Sequence, residues 1–287
     1  MKNNIVLFLF FFSACALAQI EFPPVSPFSK IEQQIGITQI EVSYSRPAVK
    51  GRKIIGGLVP YNRIWRVGAN ESTKFKINTD ISIGEKYLEK GTYALYAFPY
   101  ESHWDVVFHR DTTLWGDGRD KYNPKNDALR VRVTPAKSKI FQENFLISFD
   151  SITHNGAKMK WLWEETQISI PIQVDTDKYI GEKIEKELQL NPTAQTYYEA
   201  ARYLQEQNLD PETSLLYVNE AIELGGSTYY FFRVKSIAEA SLGAYEQAIH
   251  SAQISRNLAN EQGKDEFVRI NNENIKKWKK SLELKKD

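Results

Sequence analysis

Asn155-Gly156-Ala157-Lys158-Met159-Lys160-Trp161-Leu162-Trp163, followed closely by Ile168-Ser169-Ile170-Pro171-Ile172, decides the fold class. Successive side chains of an extended strand point to opposite sides. Met159, Trp161 and Trp163 therefore share one face of a strand, and Ile168, Ile170 and Ile172 share one face of what reads as the next. Asn155-Gly156 is the best hairpin signal in the chain, because both residue types tolerate positive φ.

The same period of two extends towards the N-terminus. Ile40, Val42 and Tyr44 alternate with polar neighbours, as do Phe75 and Ile77, and Leu129, Val131 and Val133. Gly56-Gly57, Gly84-Glu85, Lys90-Gly91 and Asp117-Gly118 separate these runs with turn chemistry. About ten short strands, each with one wet and one buried face, predict a mainly antiparallel β domain, sandwich or jelly-roll-like, over residues 34–175.

After Asp175 the period becomes helical. Tyr197, Ala200, Ala201 and Leu204 form one stripe, and Leu215, Val218, Ala221 and Ile222 another. Asn191-Pro192-Thr193 and Asp210-Pro211-Glu212 carry helix-start chemistry. Tyr198 and Phe232, Ser214 and Ala248, and Val218 and Ala252 are each 34 residues apart. With that period, Gly243-Ala244-Tyr245-Glu246-Gln247-Ala248-Ile249 resembles the turn and second helix of a tetratricopeptide repeat. Residues 176–190 read as a linker and 191–287 as a helical tetratricopeptide-like tail. Two copies are fewer than such repeats need to stand alone, so the tail is expected to lean on the β domain or a partner.

The first eighteen residues read as a signal peptide: Lys2, an apolar run from Ile5 to Phe12, then Ala16-Leu17-Ala18 as the cleavage site. The mature chain would begin at Gln19, lie in the periplasm or outside the cell, and carry no cysteine, since Cys15 is the only one. The alternative is a lipoprotein box at Phe12-Ser13-Ala14-Cys15, anchored through Cys15. Residues 19–33 read as a proline-rich lead-in, and no later segment is apolar enough to span a membrane. A 42% hydrophobic, 25% charged composition excludes a disordered chain, and a net charge of +1 gives no reason to expect nucleic acid.

The polar residues most worth following lie between Tyr44 and Thr73. Arg46, Arg52 and Arg66 can fork onto carboxylates, phosphates or sulfates, and Trp65 can stack on a ring. Asn70, Glu71 and Thr73 complete the candidate site. The competing reading is a structural network in which the arginines hold loop carbonyls. His103 and His109 share strand parity but lack a third ligand for zinc. Asp117, Asp120, Asn123 and Asp127 make an oxygen-rich loop without the ordered spacing of a calcium site. No metal and no cofactor are expected. No nucleophile motif occurs, and Trp161 and Trp163 read as core.

Ser26-Pro27, Tyr44-Ser45-Arg46-Pro47, Gly51-Arg52, Val59-Pro60-Tyr61, Trp65-Arg66-Val67-Gly68-Ala69-Asn70-Glu71-Ser72-Thr73, Gly91-Thr92-Tyr93 and Trp115-Gly116 together resemble the domain of unknown function 2911 family. The resemblance covers roughly Ser26 to Val174, and the Trp65–Thr73 run is its most specific part. It implies an exported protein of a Bacteroidetes-like bacterium and brings no activity with it. The expectation is a non-enzymatic binding or assembly protein of the cell envelope. Its β domain would hold a small anionic or sugar-like ligand, and its tail a peptide or protein. The alternative is a hydrolase with Glu71 as base and Arg66 or Arg52 binding an anionic substrate.

Overall fold

The computed structural model describes residues 22–116 and 118–285, which divide after Thr176 into two compact units. The signal peptide, Gln19, Cys15 and Asp117 lie outside the described residues. In the first unit ten strands follow in order: β1 (Phe28–Ile35), β2 (Thr38–Ser45), β3 (Thr73–Ile77), β4 (Ile81–Ile83), β5 (Lys86–Leu88), β6 (Gly91–Pro99), β7 (Trp104–His109), β8 (Asp127–Val133), β9 (Ala136–Asp150) and β10 (Gly156–Gln173). They form two sheets, ordered β1-β2-β3-β6-β7-β8 and β5-β4-β10-β9. The strands pair antiparallel throughout, as one-sided burial requires.

The alternating residues make the core. Val42, Phe75, Leu95 and Phe108 from the six-stranded sheet share one buried cluster with Ile147, Met159, Trp161 and Ile170 from the other. The expected sandwich is therefore present. A smaller cluster covers the opposite face of the larger sheet, where Ala94, Tyr96 and Val107 meet Leu114, Ile64 and Tyr122. His109, fully buried, belongs to that face. Its Nδ1 accepts from the Asp111 N–H (3.1 Å) and its Nε2 lies 3.2 Å from the Asn123 carbonyl, which holds the ring in place.

Three segments differ from the sequence reading. The residues expected as two strands, 159–163 and 168–172, are one 18-residue strand, β10. Its register on β9 slips between Leu162 and Thr166, where Glu164 takes φ 55°. A bulge of this kind moves the buried set from odd to even numbers without ending the strand. The β9–β10 hairpin exists, but Asn155-Gly156 is not its turn. Ser151 is the connecting residue with positive φ (52°), and residues 151–155 form the loop.

Phe28–Gln33, read as lead-in, is strand: β1 pairs with β2 from Phe28↔Ser45 to Ile35↔Thr38. Its side chains alternate between exposed and half-buried, and ladder hydrogen bonds hold it where apolar alternation is weak. Residues 176–190, read as linker, are helix α1 (Thr176–Leu190). Glu182 and Lys186, like Lys183 and Glu187, stand four apart and support a largely wet helix.

The second unit continues with α2 (Ala194–Glu206), α3 (Pro211–Gly225), α4 (Tyr229–Ser241), α5 (Tyr245–Glu261) and α6 (Asp265–Leu284). Thr193, Asp210 and Thr228 cap α2, α3 and α4 by accepting from the N–H three residues on. Helices α2 and α3, α4 and α5, and α5 and α6 pack in succession. Small residues let them approach closely: Ser214 Oγ donates to the Ala201 carbonyl at 2.8 Å, and Ala248 and Ala252 are fully buried. The starts of α3 and α5, Pro211 and Tyr245, keep the 34-residue offset.

Candidate functional site

The segment Trp65–Thr73 is a loop closed on itself. The Trp65 N–H donates to the Ala97 carbonyl (2.8 Å) and the Ala97 N–H returns to Trp65 (2.9 Å), anchoring one end on β6. At the other end the Thr73 N–H donates to the Arg66 carbonyl (3.2 Å), and Thr73 Oγ1 donates to the Val67 carbonyl. Trp65 Nε1 donates to the Gly68 carbonyl at 3.3 Å. Val67 is held at φ 57°, an unfavourable conformation for a β-branched residue, and is fully buried. Gly68 sits at φ 137°, where a Cβ would lie 2.8 Å from the Ser45 carbonyl oxygen, so only glycine fits.

This loop forms one wall of a cleft of about 490 Å³. Lys50, Arg52, Arg63, Arg66 and Arg119 line it, and among the described residues no aspartate, glutamate, asparagine or glutamine does. Arg66 is half-buried, and its Nε is fully buried without a hydrogen-bond partner among the described residues. Arg119 comes from the loop after β7, and Gly116 of that loop lies close to Arg66. Side chains here can donate to, and attract, negative charge.

The seven residues singled out in the sequence separate into two groups. Arg52, Trp65 and Arg66 line the cleft; Arg46, Asn70, Glu71 and Thr73 do not. Arg46 Nε donates to the Phe145 carbonyl (2.9 Å) and ties β2 to β9. Asn70, at φ 62°, donates to Ser45 Oγ (3.1 Å). Glu71 is exposed and its backbone bridges to Trp115. Its charge acts on Lys74, whose ammonium pKa burial lowers and whose Nζ donates to Ser72 Oγ (2.7 Å). Arg52 turns back on its own loop, donating to the Val49 (3.0 Å) and Ala48 (2.6 Å) carbonyls. The Trp65 ring packs among Trp104, Phe145, Trp161 and Trp163 and is 8% exposed, so it presents no free stacking face.

The profile of one family, described as a protein of unknown function (DUF2911), matches residues 26–172, half of the chain. The chain belongs to the DUF2911 family. The matched span coincides with the two-sheet unit and contains nearly all of the cleft. No curated protein and no solved structure matches the chain.

The remaining candidates have local roles. Asn123 Oδ1 accepts from the Lys125 N–H, and the Asp127 carboxylate accepts from Tyr122 and Arg130, so these oxygens brace their own loop. That environment raises the pKa of the Tyr122 hydroxyl, through burial and then its bond to Asp127. No group of three metal-ligating side chains occurs among the described residues, and no described helix is long and apolar enough to cross a membrane. Lys50, Arg63 and Arg119 were not singled out from sequence. Arg63 and Lys50 both lie between Tyr44 and Thr73; nothing in sequence connects Arg119 to either.

Proposed function

We propose that this DUF2911 protein is an exported, non-enzymatic binding protein of the cell envelope. Its β unit holds a small anion in the Arg66 cleft, and its helical unit, read as tetratricopeptide-like, presents a surface to a peptide or protein partner. One observation carries the ligand reading: among the described residues, the charged side chains lining the cleft are all cations, and the buried Arg66 Nε has no hydrogen-bond partner. A lining of donors selects a group that only accepts, such as a carboxylate, sulfate or phosphate. Hydroxyl-rich neutral sugars, which also donate, find few side-chain acceptors here. The hydrolase alternative gains no support, because Glu71 lies outside the cleft and no other carboxylate lines it among the described residues. The export reading rests on the pattern of residues 1–18.

Native mass spectrometry of the purified protein, before and after extensive dialysis, tests the ligand reading. A removable anionic mass is expected, lost in an Arg63→Ala/Arg66→Ala variant and weakened by added salt. An unchanged bound mass in that variant, or no anion bound even on titration, counts against it. N-terminal sequencing tests export: Gln19 is expected, and a lipidated Cys15 would replace the free form with an anchored one.

A further inference from the structure

We propose that the Arg66 cleft takes an amphipathic organic anion, an apolar aromatic or aliphatic body bearing one acidic group; this rests on the anion-binding reading above. The volume is the first reason. About 490 Å³ is far more than a sulfate or phosphate fills and falls in the range of small organic ligands. The second is what lies between the cations. Val25, Leu58, Val59, Ile64, Trp65 and Trp163 all line the same space. Val25 and Leu58 are 79% and 46% exposed, so apolar surface at the cleft stands in water until something covers it.

The third reason separates an apolar body from a sugar acid. A sugar ring would bring several hydroxyl donors against aliphatic and indole carbon. Among the described lining side chains only the Ser26 hydroxyl offers an oxygen acceptor. Hydroxyls buried there would lose their water partners without replacement, whereas an aryl or alkyl body loses none. Cations that line the space, Arg66 among them, hold the acidic end.

Calorimetric titration of the full chain at constant ionic strength tests this with three probes: naphthalene-2-sulfonate, inorganic sulfate and glucuronate. Naphthalene-2-sulfonate is expected to bind at least about tenfold more tightly than either of the others, the scale set by burying a few carbons. Arg66→Met should weaken it about tenfold or more, as loss of a charge-assisted hydrogen bond does. Leu58→Ser, at an exposed position, should weaken naphthalene-2-sulfonate while leaving sulfate unchanged. Sulfate or glucuronate binding as tightly, and sensitive to Arg66→Met, would overturn the amphipathic ligand while keeping the anion site. Naphthalene-2-sulfonate binding that neither variant alters would place it elsewhere and overturn the proposal. Failure of all three anions to bind would overturn both readings.

Discussion

Replacing Arg66 by methionine is expected to leave the ligand-free protein as stable as before, or more so. Arg66 Nε is buried with no hydrogen-bond partner among the described residues, and a buried unpaired donor costs about 1–3 kcal/mol relative to water. Methionine keeps most of the stem's packing and removes that donor. It also removes one of the like charges gathered with Lys50, Arg52, Arg63 and Arg119. The net change should lie between zero and a gain of roughly 2 kcal/mol, since the flexible methionine gives back part of the benefit. Arg46→Met supplies the contrast. Its Nε bonds the Phe145 carbonyl across the sandwich, so the same substitution should cost about 1–3 kcal/mol. Urea denaturation followed by tryptophan fluorescence reads the β unit, which holds every tryptophan except Trp278. A loss above about 1 kcal/mol for Arg66→Met would show that this arginine braces the fold, and the binding-site argument would fail.

Other expectations follow from single contacts. Tyr44 Oη accepts from the Ile147 N–H (3.0 Å) and donates to its carbonyl (3.3 Å), so Tyr44→Phe should cost about 2–4 kcal/mol in the same denaturation assay. Gly68→Ala places a Cβ 2.8 Å from the Ser45 carbonyl at a left-handed φ and should cost roughly 1–3 kcal/mol; a neutral result would mean the Trp65–Thr73 loop is pliable. Burial raises the carboxyl pKa of Glu239 in α4, so the native helical unit holds a proton that the unfolded chain releases. Its stability should fall as pH rises through the native value and recover on acidification towards the unfolded value of about 4.3. Helical circular dichroism during thermal unfolding should show this slope reduced in Glu239→Gln, and an identical slope would dissociate it from this group.

The two-layer β fold was legible because burial on one side of a sheet writes itself as a period of two. Ile40, Val42 and Tyr44 did so plainly, and each is buried. The reading failed where something other than burial sets the conformation. β1 is held by its ladder with β2, and its half-buried positions include Ser29 and Gln33 while Phe28 is exposed, so composition hides the alternation. In β10 one bulge at Glu164 made a continuous strand look like two, because parity is the only local signal and a bulge inverts it. Asn155-Gly156 had the composition of a tight turn, yet the whole loop 151–155 does the reversing. Local preference yields here to the register that the β9–β10 pairing imposes.

The candidate site was legible as a stretch of sequence but not as a constellation. Arg46, Arg52, Arg63 and Arg66 look alike in the sequence, and their roles are set by carbonyls contributed from elsewhere. Arg46 meets Phe145, ninety-nine positions away, and is used up in joining two sheets. Arg52 meets the carbonyls of its own loop. Arg66 follows a tryptophan pinned to β6 and precedes a valine forced to positive φ, and its Nε is left without a partner among the described residues. The cleft then gathers residues from five separate stretches: 25–26, 47–52, 58–69, Arg119 and Trp163. No spacing rule joins Arg119 to Arg66, because the connection runs through the loop carrying Gly116 and through the folding of the sheets. Charge composition could not show it either, since a net charge of +1 averages a cleft of five cations against acids placed elsewhere. The binding reading therefore rests on the separation of like from unlike charges that the fold produces. In the same family, a chain that kept Trp65 and Thr73 but replaced Arg63, Arg66 and Arg119 would keep this architecture and lose the proposed ligand.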